Sequence, residues 1–194
     1  MSVRPGRSRA RIIVLGLAAL GYAVDQLTKW LAESRLDPAN PFSLLGGLLR
    51  LQLTYNSGAA FSLGSNLTVG LSVFAVIAFL ASCWFGLFRV HRTPYAVAVG
   101  LLIAGIAGNL TDRLFRAPGP LRGHVVDFLQ LPYFAIFNVA DICITTAAAL
   151  LIILSFRGEH PASDPDAVPA APSEDADPHI ERDADEVSAP ENRA

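Results

Sequence analysis

Two aspartates, Asp127 and Asp141, stand out because each lies in or beside a strongly apolar stretch of the chain. A carboxylate is costly to place in hydrocarbon, so one found there is by default a candidate functional residue. Two carboxyl groups held within a few Å of each other cannot both ionise, and one keeps a proton while the other acts as a base. Such a pair can activate water for attack on an amide without a metal ion or a covalent intermediate.

Two sets of polar residues accompany these aspartates at helical spacing. Asn138 precedes Asp141 by three positions, so its amide could orient the carboxylate. The same spacing suits a purely structural pair, with Asn138 as the helix N-cap and Asp141 as a first-turn acid. Asn109, Asp112 and Arg113 also share a helix face. We interpret Asp112 and Arg113 as a structural ion pair at a membrane boundary.

Other chemistries have weaker support in the sequence. Ser57 lacks a Gly-x-Ser-x-Gly context and is interpreted as a turn residue, although spacing alone leaves a dyad of Ser57 with Lys29 open. The four histidines show no metal-ligand spacing. Both cysteines, Cys83 and Cys143, lie in predicted membrane spans and form no disulfide framework. We therefore expect no metal site.

The elements that must position these residues are membrane helices. Of the 194 residues, 52% are hydrophobic and 16% charged, too apolar for an ordinary soluble domain of this size. Residues 67–88 and 93–111 carry no charge, and each run can cross a hydrocarbon core of about 30 Å. Two further spans, about 12–31 and 136–156, are interrupted only by acidic residues and Lys29. The sequence predicts a membrane α-helical fold with four transmembrane helices.

The first span has an alternative interpretation as a cleaved signal peptide. Arginines precede it, and Gly21-Tyr22-Ala23 has a small-x-small pattern. Against this, Trp30 continues the apolar run beyond that point, and Asp25 and Lys29 are spaced to form an ion pair on one helix face. We therefore interpret this segment as a retained transmembrane helix.

The arginines predict the orientation of the four helices. Seven of them fall on one side of the predicted spans, at positions 4, 7, 9, 11, 89, 92 and 157, and five fall on the other. The positive-inside rule then makes both termini cytoplasmic. That orientation places Asp25, Asp112 and Asp141 near the outer membrane face, with Asn56 and Asp127 in outer loops. The polar residues are predicted to converge there on one site.

Outside the spans, the sequence predicts a small extracytoplasmic β element and a tail. Residues 49–56 alternate between apolar and polar side chains, and residues 124–131 are rich in β-branched and aromatic types, as strands are. Residues 158–194 contain eleven acidic residues, two arginines and six prolines. This composition is typical of disorder. We expect a four-helix transmembrane domain that carries the paired aspartates over residues 1–157 and a disordered, acidic, proline-rich cytoplasmic tail over residues 158–194.

Five short segments, spread in order over about residues 12–156, resemble the lipoprotein signal peptidases, also called signal peptidase II. The matching segments are Asp25-Gln26-Leu27-Thr28-Lys29, Asn56-Ser57-Gly58-Ala59-Ala60-Phe61, Gly108-Asn109-Leu110-Thr111-Asp112-Arg113, Val125-Val126-Asp127-Phe128 and Phe137-Asn138-Val139-Ala140-Asp141. The resemblance implies a bacterial inner-membrane aspartic endopeptidase. Such an enzyme removes the signal peptide of prolipoproteins just before the lipobox cysteine, after a diacylglyceryl group has been attached to it.

The resemblance also implies roles for individual residues. Asp127 and Asp141 match the catalytic pair. The residues that match polar groups around the substrate are Asn56, Asn109, Arg113 and Asn138, and those that match supporting residues are Asp25, Lys29 and Asp112. The implied partners are prolipoproteins with a diacylglyceryl-cysteine, membrane lipid and the antibiotic globomycin, which targets the family. No cofactor, metal ion or nucleic acid is implied.

Two features depart from the family pattern. Ala104-Gly105 stands where the family has paired glycines, and only fourteen positions separate Asp127 from Asp141. Neither change removes a motif residue. The short spacing bears on the size of the outer hairpin before the fourth span.

Two other classes of function use similar residues. A small transporter or proton-relay protein could employ the same membrane carboxylates, and in a non-catalytic scaffold the polar residues would serve helix packing alone. Clustering at the outer face and the lack of a carboxylate midway through any predicted span favour the peptidase.

Overall fold

A computed structural model of the chain describes residues 5–58, 65–158 and 161. It contains four long helices: α1 (Pro5–Arg35), α2 (Ser65–Phe88), α3 (Thr93–Phe115) and α4 (Val139–Phe156). All four are long and apolar enough to cross a membrane. Three strands form a small sheet: β1 (Phe42–Leu44), β2 (Leu49–Asn56) and β3 (Val125–Gln130). The predicted fold class, four apolar helices with a small β element, is confirmed.

The helix boundaries differ from the predicted spans where polar residues find partners. Helix α1 extends beyond residues 12–31 at both ends, and α3 continues past residue 111 to Phe115. The continuation is possible because Asp112 is paired with two basic side chains. Helix α4 begins at Val139 rather than 136, since Asn138 caps it in an extended conformation. Apolar composition alone cannot locate such ends.

Helix α3 is the centre of the bundle and packs against the other three helices. Close approach to α4 depends on small residues. A Cβ atom added at Gly105 would lie 2.4 Å from the Ala140 carbonyl oxygen, and one at Gly108 would lie 2.4 Å from Asp25 Oδ2. Ala104 faces Gly21 of α1, where the absence of a side chain leaves room for its methyl group. The small residues thus let three backbones meet where the carboxylates lie.

The three strands form an antiparallel sheet in the order β1-β2-β3. Strand β3 pairs with β2 so that Asp127 lies opposite Thr54 and Val125 opposite Asn56. The sheet is attached to the end of α1 by a buried apolar cluster consisting of Ala32, Leu53, Val126 and Phe128. Both predicted strands are confirmed, and β1 is an additional edge strand that was not predicted.

The first helix is an integral part of the bundle. It runs without interruption through Gly21–Ala23, and the predicted ion pair of Asp25 and Lys29 is present with both side chains fully buried. At its other end, Arg7 and Arg11 donate hydrogen bonds to the carbonyl groups of Phe88 and Leu87, which end α2. These contacts favour a retained helix over a removable signal peptide.

The connection before α4 is short but ordered. The backbone of Phe137 exchanges two 2.8 Å hydrogen bonds with Leu129, which folds the chain back from β3 directly to the start of α4. The spacing of fourteen residues therefore leaves a small hairpin that still reaches the N-terminus of α4. The predicted acidic tail lies outside the described residues apart from Gly158 and Pro161.

Candidate active site

The sequence-predicted site residues come from five elements that meet at one end of the bundle. Asp127 lies on β3, and Asp141 lies in the first turn of α4. Asn56 is the last residue of β2. The remaining residues, Asp25, Lys29, Asn109, Asp112 and Arg113, lie toward the C-terminal ends of α1 and α3. All of them join one network of hydrogen bonds, ion pairs and charge interactions.

Asn138 connects the two aspartates. Its side-chain Nδ2 donates a 2.6 Å hydrogen bond to Asp127 Oδ1, and its backbone N donates a 3.1 Å bond to Asp141 Oδ2. The Asp141 backbone N in turn donates to Asn138 Oδ1, which completes a capping box at the start of α4. The structural and the orienting roles considered for this pair therefore occur together.

Asp127 is almost completely removed from solvent, with 2% of its surface exposed. Its second oxygen, Oδ2, accepts a 2.9 Å hydrogen bond from Asn56 Nδ2. Burial raises the pKa of Asp127 to about 6, and the nearby charge of Asp141 adds to the effect, whereas the amides of Asn56 and Asn138 act in the opposite direction. A carboxyl group in this state can hold a proton near neutral pH.

Asp141 has a more polar environment and is only half-buried. Asn109 Nδ2 donates a 2.9 Å hydrogen bond to Asp141 Oδ1. The opposite end of that amide, Asn109 Oδ1, accepts hydrogen bonds from Lys29 Nζ at 3.0 Å and from Asn138 Nδ2 at 3.1 Å. Asp141 is thus connected through one amide to a buried ammonium group.

Lys29 holds the centre of a buried charge cluster. Its ammonium group lies 2.9 Å from Asp25 Oδ2 and 2.8 Å from Asp112 Oδ2, and all three side chains are fully buried. Lys29 is engaged by these two carboxylates and by Asn109 Oδ1, so it is not placed as the partner of a dyad with Ser57. Ser57 instead lies inside the turn that Asn56 Oδ1 closes by accepting from the Gly58 backbone N. The interpretation of Ser57 as a turn residue is supported.

The two acidic members of the cluster also fix the backbone near the aspartates. Asp25 Oδ1 accepts a 2.9 Å hydrogen bond from the backbone N of Ala140, next to Asp141. Asp112 Oδ2 accepts a 3.2 Å bond from the backbone N of Val126, next to Asp127. Each supporting carboxylate therefore positions the segment that carries one member of the pair.

The expected ion pair of Asp112 with Arg113 is wrong. The ion-pair partners of Asp112 in the described part of the chain are Lys29 and Arg116, the latter at 2.7 Å. Residues four apart on a helix lie on one face, whereas adjacent residues diverge by about 100°. Arg116 therefore reaches Asp112 and also pairs with Glu33 of α1. Arg116 was not among the predicted site residues, although the i,i+4 rule that pairs Asp25 with Lys29 also pairs Asp112 with Arg116.

Arg113 instead faces the loop after β2. A Cβ atom added at Gly58 would lie 3.1 Å from Arg113 Nη2, so glycine leaves room for the guanidinium group. Its charge interacts with those of Asp127, Asp112 and Asp141. Its Nη1 atom is buried without a hydrogen-bond partner within the described residues. A buried donor of this kind, next to two carboxylates, can bind a carbonyl oxygen of a ligand.

Part of the second motif, Ala59-Ala60-Phe61, lies outside the described residues. Among those that are described, no three His, Cys, Asp or Glu side chains are grouped so that they could hold a metal ion.

Comparisons with known proteins agree on one family. The family model described as signal peptidase (SPase) II matches residues 17–157. The lipoprotein signal peptidase of Mycobacterium avium is 43% identical over 155 residues, covering 80% of this chain and 84% of that protein. The lipoprotein signal peptidase of Streptomyces coelicolor is 42% identical over 161 residues, covering 80% and 76%.

A solved structure shares the fold. It is described as a bacterial membrane enzyme, is 27% identical, and superimposes with a TM-score of 0.67 over 75% of this chain and 94% of its own.

Proposed function

The chain belongs to the signal peptidase II family, and from that premise we propose a mechanism in which Asp127 and Asp141 together activate the water that cleaves its substrate. Membership makes the chain a multi-pass membrane aspartic peptidase that cleaves lipoprotein signal peptides, rather than a transporter or a scaffold. We propose that the cleaved bond immediately precedes a diacylglyceryl-modified lipobox cysteine.

The observation that carries the mechanism is the shared contact of both aspartates with Asn138. One short hydrogen bond from its side chain and one from its backbone hold the two carboxyl groups on either side of a single residue. Preorganised carboxyl groups of unequal environment can divide the tasks of acid and base. One removes a proton from water while the other protonates the carbonyl oxygen of the scissile amide.

We propose that Arg113 binds the substrate backbone. Arg113 has a buried donor atom without a partner among the described residues, and its guanidinium group lies near both carboxylates. In that position it can donate a hydrogen bond to the carbonyl oxygen of a peptide and help to hold it against the pair. Asn56 and Asn109 border the same space through their bonds to Asp127 and Asp141.

The position of the site suits a lipid-linked substrate. The carboxylates lie where apolar helices end and the sheet begins, so a substrate that stays in the bilayer through its acyl chains and its apolar signal helix can present its scissile bond there. We propose that this end of the bundle is extracytoplasmic in a bacterial inner membrane, with both termini cytoplasmic. The arginines at the opposite end, Arg7, Arg11, Arg89, Arg92 and Arg157, support this orientation.

The test is the loss of cleavage when either aspartate becomes an amide. We expect Asp127→Asn and Asp141→Asn to lower the cleavage rate of a diacylglyceryl-modified prolipoprotein at least about 100-fold, while both variants stay folded and bind globomycin. Asp37→Asn, at an exposed turn outside the network, is the matched control and should retain the rate. Cleavage at the wild-type rate by either active-site variant would disprove the two-aspartate mechanism.

A further inference from the structure

We infer that Asp141 is the ionised base of the pair and Asp127 the protonated acid, and that Lys29 imposes this division by acting through Asn109. The inference rests on the proposed two-aspartate mechanism and adds to it which residue does what. It makes Lys29 and Asn109 positioning residues, since neither needs to touch the substrate.

The orientation of the Asn109 amide is fixed by Lys29 together with Asn138, because both donate to Asn109 Oδ1. An ammonium group is a donor only, so it must face the oxygen end of the amide. The 3.0 Å bond from Lys29 Nζ to Asn109 Oδ1 therefore leaves the NH₂ group directed at Asp141, 2.9 Å away. A donor fixed in this way stabilises a carboxylate, and the positive charge polarises the amide so that the effect is stronger.

The location of Asp141 in the first turn of α4 acts in the same direction. It accepts the backbone N–H of Asn138, and the N-terminus of a helix carries a partial positive charge that favours an anion. The Asp141 side chain is only half-buried. The ionised form is therefore supported by a helix end, a polarised amide and partial hydration.

Asp127 lacks these advantages. It lies on a strand, which has no comparable dipole, and is 2% exposed. Among the described residues, its side-chain donors are the neutral amides of Asn56 and Asn138. The oxygens of these amides accept hydrogen bonds from the backbone N of Gly58 and of Asp141, and not from a charged lysine. Burial is the largest influence on this group and favours the protonated form.

The other charges nearby do not reverse the division. Arg113 interacts with both aspartates and more strongly with Asp127, which opposes the difference, and Lys29 also acts on Asp127 from a distance. Burial still keeps the pKa of Asp127 raised, to about 6. The charges of Asp25 and Asp112 are offset within their own cluster by Lys29 and Arg116.

The assigned roles give a balanced reaction. Asp141 takes a proton from water as the oxygen bonds to the carbonyl carbon, and Asp127 gives its proton to the carbonyl oxygen, which yields a diol. Asp141 then donates its proton to the amide nitrogen, Asp127 removes one from a diol hydroxyl, and the C–N bond breaks. The released products are an acid and an amine, and both aspartates return to their starting states.

Two alanine variants separate the roles, because Asn109 and Asn56 each donate to a different member of the pair. The measurement is kcat/KM for a diacylglyceryl-modified lipopeptide as a function of pH. Removing the donor to an ionised base makes its ionisation harder, so Asn109→Ala should move the acid limb of the profile up by about one pH unit, a tenfold loss on that limb. Asn56 donates to Asp127 and so favours its ionised form. Asn56→Ala should therefore move the alkaline limb to higher pH and leave the acid limb in place.

The opposite pattern, with Asn56→Ala moving the acid limb and Asn109→Ala the alkaline one, would reverse the assignment. An unchanged acid limb in Asn109→Ala would also overturn it. Asn109→Leu keeps a similar side-chain volume but makes no hydrogen bond. It should reproduce the shift, which would show that the shift in Asn109→Ala comes from the lost donor and not from the cavity left by alanine. The proposed function fails separately, only if the Asp→Asn variants remain active.

Action of Lys29 through Asn109 is tested by a double variant. Lys29→Met combined with Asp25→Asn keeps the buried charges balanced, since Asp112 retains Arg116. This variant should move the acid limb in the same direction as Asn109→Ala, and adding Asn109→Ala to it should move the limb less than Asn109→Ala does in the wild type. An additive shift would show that Lys29 acts by another route. The Asn109 and Asn56 profiles test the acid and base roles even if the double variant does not fold.

Discussion

The side chain of Asn138 donates a 2.6 Å hydrogen bond to Asp127. Because the same residue caps the helix that carries Asp141, the beginning of α4 and the middle of β3 are fixed relative to each other by one fully buried side chain. An amide fits this position because it offers a donor to the carboxyl group and an acceptor to the helix backbone. The separation of the two aspartates therefore depends on helix capping.

Replacing Asn138 should impair stability and activity together. Asn138→Ala removes the N-cap, at a cost of about 1 kcal/mol, and also the donor to Asp127. We expect a lower unfolding temperature in detergent and a cleavage rate reduced at least about 100-fold. Asn40→Ala, which removes an exposed amide bonded to Asp37, is the control. Normal activity in a folded Asn138→Ala protein would show that the pair does not need this residue.

The protonation of Asp127 should make stability depend on pH. Because its pKa is raised from 3.8 to about 6, the folded state binds a proton that the unfolded state has already lost in this interval. The folded state is therefore most stable, with respect to this group, below about pH 4. As the pH rises through about 6, the free energy of unfolding should fall by up to about 3 kcal/mol.

Unfolding of wild type and Asp127→Asn between pH 4 and 7 tests this. The wild type should lose stability relative to the variant as the pH rises. A difference that stays constant over this range would contradict a proton on Asp127 in the free enzyme.

Arg113 should contribute to substrate binding more than to stability. Arg113→Gln removes the buried donor that has no partner among the described residues, so we expect KM for the lipopeptide and Kd for globomycin to rise about tenfold or more, as for a lost hydrogen bond to a charged group. Arg50→Gln, at an exposed position of β2, is the matched control. A change in kcat alone, with KM and Kd unaffected, would exclude the binding role.

Gly108 should tolerate no side chain. In Gly108→Ala the new Cβ would lie 2.4 Å from Asp25 Oδ2, so Asp25 would have to move away from Lys29 and from the backbone of Ala140. We expect a clear loss of stability and of activity. Gly70→Ala in α2 is the same substitution at a helix position with no atom within 4 Å, and it should be neutral or stabilising. Equal stability of the two variants would show that the packing at Gly108 is relaxed.

The four helices and two of the three strands could be predicted from the sequence because they depend on local patterns. The 22 uncharged residues from 67 to 88 are long and apolar enough to predict a transmembrane helix. The alternation of apolar and polar side chains in residues 49–56 has the period of a strand. The edge strand β1 was missed because it has only three residues, Phe42–Leu44, and forms by pairing with β2. Its sequence alone carries no signal.

The candidate site could be predicted as a set of residues but not as a network. Carboxylates and asparagines in an apolar background are conspicuous, and the i,i+4 rule correctly paired Asp25 with Lys29. The same local reasoning wrongly paired Asp112 with Arg113, because sequence neighbours on a helix point in different directions. The partners that Asp112 actually has, Lys29 and Arg116, come from α1 and from the next turn of α3.

The sequence by itself therefore determined the class of the protein, the membrane helices and the identity of the polar residues, since these follow from composition, periodicity and motif order. Only the tertiary structure decided which of these residues touch. Asn109 is 80 positions from Lys29 and 32 from Asp141, and the packing of α1 and α4 against α3 brings them together. Contacts across such separations depend on the packing of whole helices, and that packing gives the two aspartates their different environments.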